Sequence, residues 1–256
     1  NKIIAIIPAR MASSRFPGKP MKRIHNYTMI GHCYLRSVKS KLITDCYVAT
    51  PDKEIKNYIL NLGGKVVMTS HKHKMCNDRV FEAVDNLEKE KKIHYDIIVN
   101  IQGDLPMIYP DMVDNLIKPL VFNKEIKTST MVDEVTNIKD FKDKNRVKVI
   151  FDKFNNAILL TREPVPSDFK FKNNFKKYKH VAIRAYKRDV FEKLKKLKMT
   201  EYEKIEGIDD LRLIENGIKI NIVKTNRITE TVDTYADLQK VKKMMKKDVF
   251  FNKNNY

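Results

Sequence analysis

The stretch that decides the fold is residues 3–20, Ile-Ile-Ala-Ile-Ile-Pro-Ala-Arg-Met-Ala-Ser-Ser-Arg-Phe-Pro-Gly-Lys-Pro. Its first five residues form an apolar, β-branched run of a length typical of a strand buried on both faces. The loop that follows carries three cations, Arg10, Arg15 and Lys19. Open α/β sheets bind ligands at the carboxyl ends of their strands, where cations and backbone N–H groups can hold a polyphosphate. The stretch therefore predicts an anion site after a first buried strand, although an ordinary basic surface loop has the same local pattern.

Strand-like and helix-like segments alternate after this loop, which predicts βαβ units and a mainly parallel, Rossmann-like α/β sheet flanked by helices. Further strands are predicted at Cys46–Ala49, Lys65–Met68 and Asp96–Ile101, with helices between them. The last of these strands runs directly into Gln102-Gly103-Asp104. This placement predicts that Asp104 faces the same crevice as the basic loop.

The second half of the chain is less regular. Val147–Phe151 and Ala157–Leu160 flank a turn-rich segment and predict a hairpin, and an amphipathic helix is predicted from about Thr234. Because no repeat and no Gly/Ser linker is present, the sequence predicts a single domain over residues 1–246 with a smaller substrate-facing lobe. Residues 247–256 are predicted to be a Lys/Asn-rich tail without regular structure.

Composition excludes several classes of protein. A chain of 256 residues with 42% hydrophobic residues can bury a substantial core, and no apolar stretch approaches the roughly 20 residues needed to span a bilayer. No secretory segment precedes the first strand, so a cytoplasmic location is expected. Three cysteines argue against a disulfide framework. The net charge of +19 predicts nonspecific attraction to polyanions, but the lysines are scattered and no nucleic-acid recognition motif is present.

Several segments in a fixed order resemble one known family. Besides the basic loop, they are Val48-Ala49-Thr50, Gly63–Thr69, Asn100–Asp104, Val147-Lys148-Val149 and Thr231-Val232-Asp233-Thr234. Together they make the chain, from Ile3 to about Leu238, similar to the sugar nucleotidyltransferases that use CTP. It most resembles the 3-deoxy-manno-octulosonate (Kdo) cytidylyltransferases, the CMP-Kdo synthetases of lipopolysaccharide biosynthesis. The resemblance implies a Mg²⁺-dependent, homodimeric enzyme that couples CTP to an acidic 2-keto sugar, giving a CMP-sugar and pyrophosphate.

The resemblance also assigns residues to the nucleotide and the metal. Asp104 and Asp233 match the metal-binding aspartates of the family, and Mg²⁺ held by one or two carboxylates keeps waters and phosphate oxygens as its other ligands. A lone aspartate at such a junction is otherwise a helix cap or a turn residue. The residues implied to hold the triphosphate are Ala9 through its backbone, Arg10, Ser14, Arg15 and Lys19, with Arg10, Lys19 and Asp104 taking part in catalysis.

The family offers six positions for the sugar. A sugar acid needs cations for its carboxylate, and arginine can bind a carboxylate with two parallel hydrogen bonds. Each residue alone could equally serve a structural salt bridge, and the two acidic ones could simply line a solvated helix. The positions are occupied here by Arg79, Gln102, Arg162, His180, Glu206 and Asp209.

The chain departs from the family on the sugar side. The usual Ser-Gly-Thr-Glu-Arg is Met75–Arg79 here, Leu105 replaces an acidic residue, and Arg184 and Asp210 stand where relatives often carry tyrosine and glutamine. The aspartate at 210 suggests the hypothesis of an amino-bearing sugar. The alternatives are therefore the same chemistry on an amino-Kdo or a nonulosonate, or a non-catalytic protein that binds nucleotides or polyanions. A transition-metal site at His71, His73 and Cys76 is disfavoured because a fourth ligand is lacking.

Overall fold

Strands and helices alternate through the residues that the computed structural model describes, which are 1–12, 16–73, 75–167, 169–170 and 175–254 (backbone only at 253–254). The strands are β1 (Ile3–Pro8), β2 (Arg23–Ile24), β3 (Tyr27–Thr28), β4 (Asp45–Thr50), β5 (Val66–Met68), β6 (Ile97–Ile101), β7 (Thr128–Glu134), β8 (Lys148–Phe151), β9 (Ala157–Thr161), β10 (Tyr178–Lys187) and β11 (Asn221–Thr225). The helices are α1 (Met29–Ser37), α2 (Lys53–Asn61), α3 (Cys76–Lys91), α4 (Pro110–Phe122), α5 (Ile138–Lys142), α6 (Arg188–Lys196), α7 (Glu201–Glu206), α8 (Asp210–Glu215), α9 (Tyr235–Met245) and α10 (Val249–Asn254), with a short 3₁₀ helix at Lys19–Met21.

The chain divides into two compact units. The first unit comprises residues 1–114 and 228–256, and the second comprises residues 115–227. In the first unit, β1 lies between β4 and β6 and β5 pairs with the far side of β4, all four strands parallel. Because the four strands are parallel, their carboxyl ends all lie at one edge of this sheet.

The apolar run at the start of the chain forms the centre of the first unit. Every residue of β1 is buried, because each side chain points into one of the two helix-covered faces. Helix α1 packs Ile30 and Cys33 into this core, and α2 contributes Ile55 and Ile59. The hydrophobic periodicity therefore placed both the strand and its flanking helices correctly.

The second unit contains a mixed sheet. Strand β7 pairs parallel with β11 and antiparallel with β10, and β8 pairs antiparallel with both β10 and β9. The predicted hairpin is β8–β9, and its turn is built by the Asp152 carboxylate, which accepts from the amides of Phe154 and Asn156. Asn155 takes a positive φ of 62° in this turn, a conformation that asparagine tolerates. The predicted α/β fold with a mainly parallel nucleotide-binding sheet is confirmed.

The segment after residue 246 differs from the expected tail. Val249–Asn254 forms α10, in which Phe251 is buried, and Asp248 forms a buried ion pair with Arg36 of α1. Tyr109 Oη donates to the same carboxylate over 3.1 Å. The lysine-rich composition predicted a solvent-exposed segment, but the buried ion pair and the rings of Phe250 and Phe251 pack it against the first unit. Among the described residues, no helix has both the length and the apolar character to cross a bilayer.

Candidate active site

Two carboxylates and one ammonium group meet in the first unit. Lys19 Nζ lies 2.9 Å from Asp104 Oδ2 and 3.5 Å from Asp233 Oδ1. The three residues come from the 3₁₀ helix after the basic loop, from the loop after β6 and from the residue preceding the N-cap of α9. The structure therefore brings together three of the residues that the resemblance assigned to phosphate and metal binding, Lys19, Asp104 and Asp233.

Glycine and backbone contacts hold Asp104 in place. A Cβ atom at Gly103 would lie 2.8 Å from the carbonyl oxygen of Pro8, so only glycine allows this loop to pass so close to the end of β1. The Asp104 carbonyl accepts a 2.9 Å hydrogen bond from the amide of Val232, which ties the loop to the segment carrying Asp233. Thr234 and Asp237 then form a capping box that starts α9 directly after Asp233.

Lys19 is charged in this arrangement. Burial alone would lower the pKa of its ammonium group, but the carboxylates of Asp104 and Asp233 outweigh burial and raise the pKa above its usual value. The preceding residue, Gly18, has a φ of 67° and donates from its amide to the Met11 carbonyl, which closes the basic loop. Lys19 is thereby held as a fixed cation between two anions.

The two carboxylates fit a divalent metal ion. Asp104 Oδ1 is buried and has no hydrogen-bond partner among the described residues, although an unpaired buried carboxylate oxygen is costly. No group of three or more His, Cys, Asp or Glu side chains in the described part of the chain could hold a metal by itself. A site with two protein carboxylates suits Mg²⁺, which takes its remaining ligands from water and substrate phosphates.

The basic loop lies at the end of β1 as predicted. The Ala9 amide donates to the Ala49 carbonyl over 2.9 Å, and the Met11 amide donates to Asp52 Oδ2 over 2.7 Å. Arg10 is exposed and donates a single 3.4 Å hydrogen bond to the His73 carbonyl. Ser14 and Arg15, also predicted to bind the nucleotide, lie outside the described residues.

A cleft of about 250 Å³ opens beside these groups. Its polar and charged lining contains Arg10, Lys19, Cys76, Gln102, Gly103 and Asp104, with Ala9 beneath them. A neighbouring recess of about 100 Å³ adds Arg79 and His73. The predicted catalytic residues and two of the predicted sugar contacts therefore line one continuous set of cavities in the first unit.

Arg79 is buried, and no carboxylate of the described residues lies at hydrogen-bonding distance from it. Its guanidinium donates to the Thr69 hydroxyl over 2.6 Å and to the carbonyls of Ser70 and His73 over 3.2 and 3.3 Å. Burial lowers the pKa of this group, and the nearby Arg10 acts in the same direction. Both arginines donate to the His73 carbonyl, so the recess holds two positive charges close together, and no salt bridge joins either of them to a carboxylate in the described part of the chain.

The remaining cleft residues make specific polar contacts. Cys76, the first residue of α3, donates from Sγ to Gln102 Oε1 over 3.0 Å. His73 Nε2 lies 2.5 Å from Glu82 Oε2, which also accepts from the Ser70 amide. His73 is thus engaged with a carboxylate that shapes the loop rather than with the thiol of Cys76.

Arg162 and Glu206, predicted to contact the sugar, contact each other's backbone in the second unit. Arg162 Nε donates to the Glu206 carbonyl over 2.6 Å at the carboxyl end of α7, and one of its terminal nitrogens donates to the Lys144 carbonyl over 3.0 Å. The Glu206 carboxylate accepts from the Thr161 hydroxyl and from the Arg162 amide. These side chains fasten β9 to α7.

The other predicted sugar contacts lie around one buried ion pair. Arg184 donates from two guanidinium nitrogens to Asp210 Oδ2, over 2.7 and 2.6 Å, and His180 Nε2 lies 3.7 Å from the same oxygen. Asp209 is half-buried beside them, and burial raises the pKa of its carboxyl group. The Asp210 charge is already paired with Arg184, so this carboxylate is not available for the ammonium group of an amino sugar.

Sequence reasoning missed two positioning residues. Asp52 holds the Met11 amide, and Thr130 of β7 holds the His180 ring through a 2.7 Å contact between Oγ1 and Nε2. Asp52 follows the end of β4, so its position at a strand terminus was a usable signal. Thr130 carried no such signal, because its contact with His180 spans 50 residues.

Comparison with known proteins identifies the family. The family model described as cytidylyltransferase matches residues 4–220. A protein of Fusobacterium nucleatum named 3-deoxy-manno-octulosonate cytidylyltransferase is 39% identical over 240 residues, covering 94% of this chain and 95% of the relative. A protein of the same name from Thermodesulfovibrio yellowstonii is 40% identical over 250 residues, covering 94% of this chain and 97% of the relative.

A solved structure agrees with these matches. It is described as CMP:2-keto-3-deoxy-manno-octonic acid synthetase complexed with CTP, and it matches with a TM-score of 0.85 and 32% identity over 96% of this chain and 99% of its own. A cytidylyltransferase structure from Leptospira borgpetersenii, 19% identical with a TM-score of 0.62, shares the fold. The predicted resemblance is confirmed: the chain belongs to the cytidylyltransferase family and is a nucleotidyltransferase.

Proposed function

We propose that the enzyme transfers CMP from CTP to a hydroxyl group of 3-deoxy-manno-octulosonate, releasing pyrophosphate. The observation that carries this proposal is the convergence of Asp104 and Asp233 on Lys19 beside the cleft. Support for the sugar comes from the names of relatives about 40% identical over nearly the whole chain. Mg²⁺ as the metal, a homodimer, a cytoplasmic location and a role in lipopolysaccharide biosynthesis remain predictions from the resemblance.

Residues of the first unit serve the nucleotide in this proposal. Arg10 and Arg79 both donate to the His73 carbonyl, and the positive charge that they gather suits an anionic ligand. Asp104 and Asp233 would hold Mg²⁺, which supplies charge neutralisation of the phosphates when bound. Lys19, fixed as a cation, stabilises the negative charge that develops on pyrophosphate as the bond from the α-phosphorus to the bridging oxygen breaks.

The reaction needs positioning more than covalent help from the protein. The sugar hydroxyl oxygen forms the new bond to the α-phosphorus while pyrophosphate departs on the opposite side, so alignment and charge stabilisation dominate the rate. Gln102 offers a side-chain amide in the cleft, oriented by the Cys76 thiol. Arg162, His180, Glu206 and Asp209 are proposed sugar contacts on the strength of the resemblance.

The test is a substrate panel read by pyrophosphate release. Purified enzyme is incubated with CTP, UTP or ATP, with Mg²⁺ or EDTA, and with Kdo, 8-amino-Kdo or N-acetylneuraminate. We expect turnover with CTP, Kdo and Mg²⁺ and a preference for Kdo over the amino analogue, because Asp210 is already paired. Preference for another acidic sugar would replace the substrate while keeping the reaction. Metal-independent nucleotide binding without turnover, weakening steeply with salt, would instead favour a binding protein.

A further inference from the structure

A buried polar cluster in the second unit fixes the protons of His180. His180 lies on β10, with its side chain 4% exposed, and contacts Thr130 of β7 and the Asp210–Arg184 ion pair. These four side chains are drawn from two strands and from α8. Because the cluster is buried, each polar hydrogen in it needs an acceptor, and the protons can be assigned one by one.

Thr130 determines which ring nitrogen carries a proton. A threonine hydroxyl has one hydrogen, and Thr130 Oγ1 lies 2.9 Å from the Ile183 carbonyl oxygen and 2.7 Å from His180 Nε2. The carbonyl can only accept, so the hydroxyl hydrogen goes to Ile183. Thr130 Oγ1 must then accept from His180, which places a proton on Nε2.

The ion pair keeps the ring neutral and oriented. Burial lowers the pKa of His180 to about 4. The negative charge of Asp210 would raise this pKa, but the positive charge of Arg184 opposes it. Asp210 Oδ2, at 3.7 Å, is a second negative atom facing Nε2–H. At neutral pH the ring is therefore uncharged, with its one proton on Nε2.

The lone pair is left on the other ring nitrogen. A neutral imidazole with its proton on Nε2 is a hydrogen-bond acceptor at Nδ1. Nδ1 has no hydrogen-bond partner among the described residues. His180 thus offers an acceptor that the protein leaves for a ligand.

We propose that Thr130, Arg184 and Asp210 are positioning residues that present His180 Nδ1 as an acceptor for a hydroxyl group of the sugar acid. This inference rests on the proposed function and deepens it. A buried acceptor discriminates against an analogue lacking the donor, because the acceptor is then left unpaired. Arg184 and Asp210 therefore act on specificity through His180 and not as direct ligands of an amino sugar.

The proton assignment has a test that needs no turnover. The enzyme is labelled with ¹⁵N-histidine, and His180 is assigned among the six histidines by comparison with His180→Asn. We expect ¹H–¹⁵N correlations of a neutral ring protonated at Nε2, unchanged from pH 7.5 to pH 5.5. A ring protonated at Nδ1, or an imidazolium at pH 7, would overturn the inference.

Kinetics of two variants test the role of Nδ1. Asparagine places a polar group near the position of Nδ1 and glutamine places one near Nε2, so His180→Asn, which keeps an acceptor but loses the Thr130 contact, should raise the KM for Kdo about fivefold to tenfold, as Thr130→Val does, while His180→Gln raises it about a hundredfold. Equal effects of the two substitutions would refute the assignment. If the wild-type enzyme does not use Kdo at all, the proposed function fails while the spectroscopic test still stands.

Thr130→Val and Asp210→Asn test the positioning residues. Each should raise the KM for Kdo about fivefold to tenfold, with kcat and the KM for CTP within about twofold, because each releases the His180 ring; Asp210→Asn in addition removes the charge that pairs with Arg184. Thr130→Val is nearly isosteric and keeps the test valid if Asp210→Asn fails to fold. Asp189→Asn, which breaks the exposed Lys127–Asp189 pair of the same unit, is the control. An unchanged KM in folded Thr130→Val would contradict the role given to Thr130.

Discussion

The charged side chains of the two units differ in how completely they are paired within the protein. In the first unit, Asp104 keeps a carboxylate oxygen without a partner among the described residues, and Arg79 donates only to neutral oxygens. In the second unit, Arg184 and Asp210 pair with each other, and Arg162 is engaged with the carbonyls around α7. Similar residue types thus have different surroundings in the two units.

This difference distinguishes residues whose charge serves ligand binding from residues whose charge stabilises the folded protein. In the first unit two carboxylates share one ammonium group, that of Lys19, and the excess negative charge costs free energy that is regained when a cation binds. A charge that is already paired contributes to the folded state and has less to gain from a ligand. We therefore expect substitutions in the first unit to reduce catalysis and those in the second unit to reduce stability as well.

The largest expected effect follows removal of either convergent carboxylate. Asp104→Asn and Asp233→Asn should each lower turnover with CTP and Kdo by about a thousandfold or more, because each removes a proposed metal ligand and a partner of Lys19. Pyrophosphate release measures the loss, and urea denaturation measures the free energy of unfolding. We expect the latter to change little, since the carboxylates gather charge at an open cleft.

Glu90→Gln is the matched control, because Glu90 is an exposed carboxylate on α3 of the same unit. It should have wild-type turnover and stability. If Asp104→Asn and Asp233→Asn both retained near-wild-type turnover at saturating Mg²⁺, the two aspartates could not be the metal ligands. If the two variants lost turnover because they unfold, the proposed difference between the units, catalysis in the first and stability in the second, would be wrong.

A smaller effect should distinguish two arginines. Arg162→Ala removes hydrogen bonds to the carboxyl end of α7 and to Lys144, so its free energy of unfolding should fall by about 1–3 kcal/mol. Arg10→Ala removes one long hydrogen bond from an exposed side chain and should change stability by less than about 0.5 kcal/mol. Arg10→Ala should nevertheless raise the KM for CTP, about tenfold for one lost charge-assisted contact with phosphate.

Urea denaturation and initial-rate kinetics on both variants provide the comparison. Each arginine serves as the control for the other, because both substitutions remove the same side chain. Equal destabilisation by the two changes would show that the first unit also uses its arginines for folding. The comparison between the units would then be wrong.

The sequence predicted what depends on local order and strand ends. The alternation of strands and helices placed β1, β4 and β6, and the position of Asp104 after β6 predicted its approach to the basic loop. Contacts between residues that are far apart in the sequence could not be predicted from such local patterns. Arg36 and Asp248 are 212 residues apart, so no periodicity indicated that their ion pair docks α10.

The residues that depart from the family on the sugar side also show that contacts between distant residues could not be predicted from the sequence. Arg184 and Asp210 were each noticed as unusual residues, but only the structure pairs them, across 26 positions of sequence. The pairing changes the chemistry inferred from the aspartate, because a neutralised carboxylate cannot select an ammonium group. The orientation of His180 likewise depends on a hydroxyl that lies on another strand.

The smallest expected effect is chemical protection of one thiol. Cys33 and Cys46 are buried, and burial raises the pKa of Cys46 to about 12 and that of Cys33 further, so neither forms a reactive thiolate. Cys76 is half-buried and lines the cleft at the amino end of a 16-residue helix, so it is the most accessible of the three thiols. Iodoacetamide should therefore alkylate Cys76 first, and saturating CTP should slow this labelling several-fold.

Peptide mass spectrometry identifies the labelled cysteine, and Cys76→Ser, which keeps a donor for Gln102, is the control that should lose the fast phase. Calorimetry establishes that CTP is bound under the labelling conditions. If bound CTP left the labelling rate of Cys76 unchanged, the nucleotide would occupy another surface, and the uncompensated charge of the first unit would need a different ligand. Protection by CTP but not by sulfate or pyrophosphate would instead sharpen the comparison, because it would show that the nucleoside itself, and not phosphate charge alone, lies beside Cys76.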